Sequence, residues 1–189
     1  EKLEYTHDEG SQIDYGMDFY APQTVESSDG RRILIGWVQN WSNYMVPEEM
    51  KWAGMMTIPR ELRYVNGRLY QNPVEELKNY RKSPCIINSR EISGEMEIDG
   101  IRGRVLDMTV EICGDGFDEF SIELAHNEEY TTSYTYHRKK QLMTIDRTYC
   151  GVIRDVVCQR TWKLPENDKA EEKNLKLRFI MDRQSVELF

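Results

Sequence analysis

The chain has 189 residues, 39% of them hydrophobic and 31% charged, and its 25 basic against 33 acidic side chains leave a net charge of -8. That apolar share is enough for a core and excludes wholesale disorder. The acidic balance, with a pI near 5.1, excludes a nucleic-acid partner gripped through its phosphate backbone.

The longest strongly apolar run, Ile33 to Val38, falls far short of the roughly 20 residues a membrane-spanning helix needs, so no membrane partner is expected. Cys85, Cys113, Cys150 and Cys158 form no CxxC pair and read as isolated thiols. His7, His126 and His137 stand at no metal-ligand interval, so neither a metal nor any other cofactor is expected. The amino-terminal EKLEYTHDEG lacks the basic and apolar regions of a signal peptide. A cytoplasmic location is expected, with secretion left open because the chain reads as the later part of a longer protein.

In chain order, Asp29-Gly30 precedes the run RRILIGWV, and Asn66-Gly67 separates LRYV from RLYQ. Both pairs favour two-residue hairpin turns, whose central residues need positive φ. Pro73 to Lys82, PVEELKNYRK, is the one short helical candidate, with proline at its first turn. From Val105 the run VLDMTVEI alternates at period two, with Leu106, Met108, Val110 and Ile112 on one face. FSIEL follows with Phe120, Ile122 and Leu124 inward, then TTSYTY with Tyr134 and Tyr136 together. NLKLRFIM groups Leu175, Leu177, Phe179 and Met181. Alternation of this kind marks half-buried antiparallel strands, and the chain is expected to be all-β. Asp99-Gly100 and Cys113 to Gly116 read as hairpin turns and lack the ligand series of a calcium loop. Glu166 to Lys173 reads as a solvated connection.

A composition shift divides the chain. Residues 1–62 hold Trp37, Trp41 and Trp52, three of the four tryptophans, whereas regular amphipathic strands begin after Pro84. Three parts are expected: 1–62, a connector over 63–83, and 84–189. The closing DRQSVELF is strand-like and ends on an apolar residue, which supports reading the chain as part of something larger.

The blocks DYGMDFYAPQ (Asp14 to Gln23), GRRILIGW, WAGMMTIPREL, GRLYQNPVEEL and DRQSVELF occur in this order along the chain. Together they resemble glycoside hydrolase family 32, the invertases, sucrose-6-phosphate hydrolases, levanases and inulinases. The resemblance implies the last blade or blades of a five-bladed β-propeller over 1–62, followed by most of a C-terminal β-sandwich. It implies a β-fructofuranosidase acting on terminal β-fructosides (sucrose, sucrose 6-phosphate or fructans) by a retaining two-carboxylate mechanism. It also exposes an absence. The family's aspartate nucleophile in an Asn-Asp-Pro-Asn-type motif, its Arg-Asp-Pro aspartate and its Glu-Cys acid/base do not occur here. No catalytic residue is therefore assigned, and the chain alone is expected to be inactive. The missing amino-terminal blades, a β-fructoside and a second copy of the chain are the expected partners.

Three residues are candidates for substrate binding. Trp41, in GWVQNW, matches the place of a pocket tryptophan whose indole would lie on the apolar face of the fructosyl ring; the competing reading, an interblade core tryptophan, suits Trp37 better. Asp18 and Tyr20 would offer a carboxylate and a phenol to sugar hydroxyls, or else satisfy loop amides and pack between blades. Arg60, in WAGMMTIPR, would either anchor a carboxylate in the pocket or join two blades through a buried ion pair, and the structural role is the one expected. Glu187 alternates with Val186 and Leu188 and should face solvent or a domain interface. The alternative function is a free-standing carbohydrate-binding or oligomerisation sandwich using Tyr134 and Tyr136. Residues 1–62 argue against it, since such a module needs no propeller blade.

Overall fold

A computed structural model describes residues 12–39, 51, 52, 54–114, 116–151, 157–164 and 174–189. The first sheet is a meander of β1 (Tyr20–Glu26), β2 (Arg32–Trp37), β3 (Arg60–Val65) and β4 (Arg68–Pro73), in that spatial order. Asn66 and Gly67, at φ 51° and 79°, form the two-residue loop between paired Val65 and Arg68, as the sequence predicts. The Asp29-Gly30 turn is one residue longer than expected. The Ser27 amide donates to the Arg31 carbonyl at 2.8 Å and the Gly30 amide to the Ser27 carbonyl at 2.9 Å, with Gly30 at φ 82°. That is a three-residue loop with a glycine bulge. The Asp29 carboxylate favours it by accepting from Ser27 Oγ at 2.5 Å and from the Arg31 amide at 3.3 Å.

The hydrogen bonding carries the first sheet through to Pro73, so the range 63–83, read above as a connector, holds the end of β3 and all of β4. A 3-10 helix, Glu75–Tyr80, fills the place of the expected short helix. Arg31 in the β1–β2 turn grips Glu76 of that helix through Nη1 at 3.1 Å and Nη2 at 2.5 Å.

Two further sheets stack face to face. One has the order β11-β10-β5, from β5 (Val105–Ile112), β10 (Leu175–Asp182) and β11 (Ser185–Leu188). The other runs β6-β7-β8-β9, from β6 (Glu119–Leu124), β7 (Thr132–His137), β8 (Leu142–Asp146) and β9 (Gln159–Lys163). The chain changes sheets between β5 and β6, so the glycine-rich stretch starting at Cys113 is a crossover and no hairpin turn. Asp99-Gly100 likewise joins no strand pair, because 81–104 contains no strand.

The alternating faces meet where periodicity placed them. Leu177 and Phe179 of one sheet pack on Leu124, Tyr134 and Met143 of the other, with Leu106, Met108, Val110, Phe120, Ile122 and Tyr136 around them. Tyr134 is 3% exposed and meets Phe179 edge to face, ring centres 5.0 Å apart. A sandwich module that binds sugars through Tyr134 is thereby excluded, because the ring belongs to the core. Phe179 is fully buried. Phe179→Ala should lower unfolding free energy by about 3–5 kcal/mol, read as a shifted urea midpoint. A loss under about 1 kcal/mol would mean that the two sheets do not share this core.

Candidate functional site at the junction of blade and sandwich

Buried charge gathers where residues 12–19 run between the first sheet and the sandwich. Arg60 begins β3 and is 7% exposed. Its Nη1 donates to Asp14 Oδ2 at 2.6 Å and to Gln71 Oε1 at 3.3 Å, and its Nη2 to Glu187 Oε2 at 2.7 Å. Phe19 and Phe189 lie 5.3 and 5.5 Å from its guanidinium carbon, so the planar cation has aromatic faces and carboxylate edges. Its Nε finds no partner among the described residues.

Local chemistry explains how each partner is held. Asp14 Oδ1 accepts the Gly16 amide at 2.6 Å, which pins the carboxylate in a turn of its own. Gly36 on β2 has no side chain because a Cβ there would come within 2.5 Å of the Phe19 ring. Thr57 braces that spot, its hydroxyl accepting the Gly36 amide at 3.0 Å and its own amide donating to the Gly36 carbonyl at 2.9 Å. Glu187 on β11 also accepts the Ile58 amide, at 2.6 Å. Burial pushes the Glu187 carboxyl above its ordinary value, and the Ile58 amide and Arg60 only partly reverse this.

A second set of contacts ties the same segment to the other sheet of the sandwich. Arg147 follows β8 and binds Asp18 through both Nη groups, with side chains 10% and 14% exposed. Arg160 on β9 donates to the Gly16 carbonyl and, at 2.6 Å, to Gln12 Oε1. Tyr15 stacks on Trp162 of β9, ring centres 6.0 Å apart and planes 14° apart. Residues 12–19 are thus clamped from both sides.

The candidates fare differently against this geometry. Asp18 gives its carboxylate to Arg147, a pairing that sequence alone did not suggest. Tyr20 opens β1, is 43% exposed and leans on the Trp37 ring at 6.3 Å. Trp41 lies outside the described residues. Arg60 does sit in a buried ion pair, but it joins blade to sandwich and not blade to blade. Sequence reasoning missed Arg147, Arg160, Trp162, Phe19, Gly36 and Gln71. The visible signal was the alternation of Arg160 and Trp162 in QRTWK, a strand too short and polar to stand out. Among the described residues no three His, Cys, Asp or Glu side chains converge to hold a metal ion, and no helix is long and apolar enough to cross a membrane.

A four-stranded meander locked by buried charge to a two-sheet sandwich is the architecture of the propeller-and-sandwich glycoside hydrolases. The glycosyl hydrolases family 32 N-terminal domain model matches residues 1–73, and the family 32 C-terminal model matches residues 76–189. The chain belongs to glycoside hydrolase family 32. Sucrose-6-phosphate hydrolase of Staphylococcus xylosus is 28% identical over 187 residues, which is 99% of this chain and 37% of that protein. Raffinose invertase of Escherichia coli is 30% identical over 179 residues, covering 94% of this chain and 35% of its own length. The solved sucrose-6-phosphate hydrolase of Lactobacillus gasseri superposes with a TM-score of 0.77 at 25% identity, over 94% of this chain and 35% of that one. The chain therefore spans little more than a third of the relatives it matches.

Removing Arg60 tests the junction. In Arg60→Met, Asp14 and Glu187 remain buried without their cation, and stability at about pH 7 should fall by about 3–5 kcal/mol. The stranded Glu187 carboxylate would bind its proton more tightly folded than unfolded, so the variant's stability should drop as pH rises from the ordinary glutamate value of 4.5 towards the raised folded one. The deficit against wild type should be smaller near pH 4 than near pH 7. Equal deficits from urea titrations at the two pH values would mean that these carboxylates do not face Arg60.

Proposed function

We propose that this chain is the C-terminal portion of a β-fructofuranosidase that hydrolyses terminal β-fructosides: sucrose, sucrose 6-phosphate or fructans. The observation carrying this reading is the succession of a family 32 N-terminal match and a family 32 C-terminal match along one chain. The activities for which two relatives are named, sucrose-6-phosphate hydrolase and raffinose invertase, point to the same bond.

The chemistry would be the retaining scheme, in which one carboxylate forms a glycosyl-enzyme intermediate and the other serves as acid and then base. Neither carboxylate motif occurs in these 189 residues. The segment's part is to complete the sugar pocket and to brace it with the sandwich. Trp41 and Tyr20 would meet the fructosyl unit by stacking and hydrogen bonding, and Asp18 would contribute a carboxylate already oriented by Arg147.

Two experiments test this. The full protein should release fructose from sucrose with retained anomeric configuration, followed by proton NMR, and the 189-residue chain alone should release none. Inversion, or turnover by the chain alone, contradicts the proposal. In the full protein, Trp41→Ala should lower kcat/KM for sucrose about tenfold or more, the scale expected for lost aromatic stacking. An unchanged kcat/KM per folded molecule with a sharply lower Tm would make Trp41 a core residue.

A further inference from the structure

The blade–sandwich junction uses Arg60, Arg147 and Arg160, but a second group of cations stands apart from it. A cleft of about 460 Å³ lies between the 3-10 helix and the outer face of the β5–β10 pair. Lys78 and Arg81 reach it from the helix side, and Lys176 and Arg178 from β10. Its one lining carboxylate, Glu75, is paired with Lys78. In a chain of net charge -8, four cations around one concavity call for an explanation.

Asp107, on β5 behind the cleft, organises the two arginines. Its Oδ1 accepts Arg178 Nε at 2.8 Å, and its Oδ2 accepts Arg178 Nη2 at 2.8 Å and Arg81 Nε at 2.6 Å. Burial alone would push the Asp107 carboxyl up, but the bonds from Arg178 and Arg81 more than reverse this and hold it below its ordinary value. A single ionised carboxylate thus fixes two guanidinium planes, and among the described residues Arg178 Nη1 and both Nη groups of Arg81 have no hydrogen-bond partner. Lys176 stands two residues from Arg178 on the same face of β10 and makes no ion pair with any described residue. Counting Lys78, Arg81, Lys176 and Arg178 against Glu75, Asp107 and Glu111, which stands opposite Lys176 on β5, leaves one positive charge. Asn72 and Thr109 add neutral hydrogen-bonding groups to the wall, and Phe189 an apolar face.

We propose that this cleft binds a phosphate group, free or carried by a small phosphomonoester, with the phosphate on Arg81, Lys176 and Arg178. Preoriented guanidinium edges match phosphate oxygens in bidentate geometry, and the local excess of positive charge favours an anion. A concave site of this volume takes a small molecule, whereas the acidic surface elsewhere disfavours an extended polyanion.

The test is calorimetric titration of the full protein at low salt with glucose 6-phosphate, inorganic phosphate and glucose. The phosphate compounds should saturate one site and glucose should not, and added salt should weaken binding. Tighter binding of glucose 6-phosphate than of inorganic phosphate makes the ligand a sugar phosphate; equal binding makes it free phosphate. Arg178→Gln and Lys176→Gln should each weaken binding at least about tenfold, the scale of a lost charge-assisted contact. Because Lys176→Gln strands no buried carboxylate, its effect cannot come from unfolding, and an unchanged melting curve checks this. No saturable binding of either phosphate compound overturns the proposal, as does binding that both substitutions leave within about twofold.

Discussion

Arg60 carries a full positive charge into a space closed by two aromatic rings, and only the carboxylates of Asp14 and Glu187 make that tolerable. Desolvating three ions costs several kcal/mol each, and their attraction offsets this only when geometry and hydrogen bonding are nearly complete. Each partner has accordingly been given a second anchor: the Gly16 amide for Asp14, the Ile58 amide for Glu187, and the amide side chain of Gln71 for Arg60 itself. The cluster admits one placement of the sandwich against the blade, because a shift of either would strand a charge.

The remaining junction contacts repeat this logic with smaller stakes. Arg147 fixes Asp18, the residue two before the start of β1, and so sets the angle at which that strand enters the blade. The bulge at Ala21 and Pro22, where the β1–β2 register slips by one, then lets Tyr20 lie against Trp37. A sandwich residue thereby governs the approach of a candidate sugar-facing phenol.

Much of the sandwich was legible because β5, β6, β7 and β10 are long enough to show period two, and the core they form is the one their inward residues predict. β8 and β9 escaped notice. LMTID and QRTWK are five residues each, and their outer positions carry Thr144 and Thr161, whose hydroxyls bond one another at 2.9 Å across the strands. RLYQ was legible as one arm of the Asn66-Gly67 hairpin, but β4 was still counted to the connector because RLYQNP is polar, ends in proline and keeps half of its residues exposed. The junction was barely legible at all, since its partners are separated by 46, 127 and 129 positions, and no local pattern encodes such distances. What sequence could give for Glu187 was a choice between solvent and a domain interface. For Asp18 it could not foresee a guanidinium arriving from β8.

Those separations have a consequence for how the protein is made. Arg60 and Glu187 lie 127 residues apart, so at typical synthesis rates on the order of ten seconds pass between the emergence of one and the other. Through that interval the blade holds a cation whose final partner has not been translated, and the Phe19 ring is stacked on a guanidinium still open to water. The amino-terminal sheet leaves the ribosome first yet waits for a constraint supplied 127 positions later. Synthesis order and completion order are therefore opposed at this junction, and a ribosome stalled before β11 would present a blade with its interface charges uncovered.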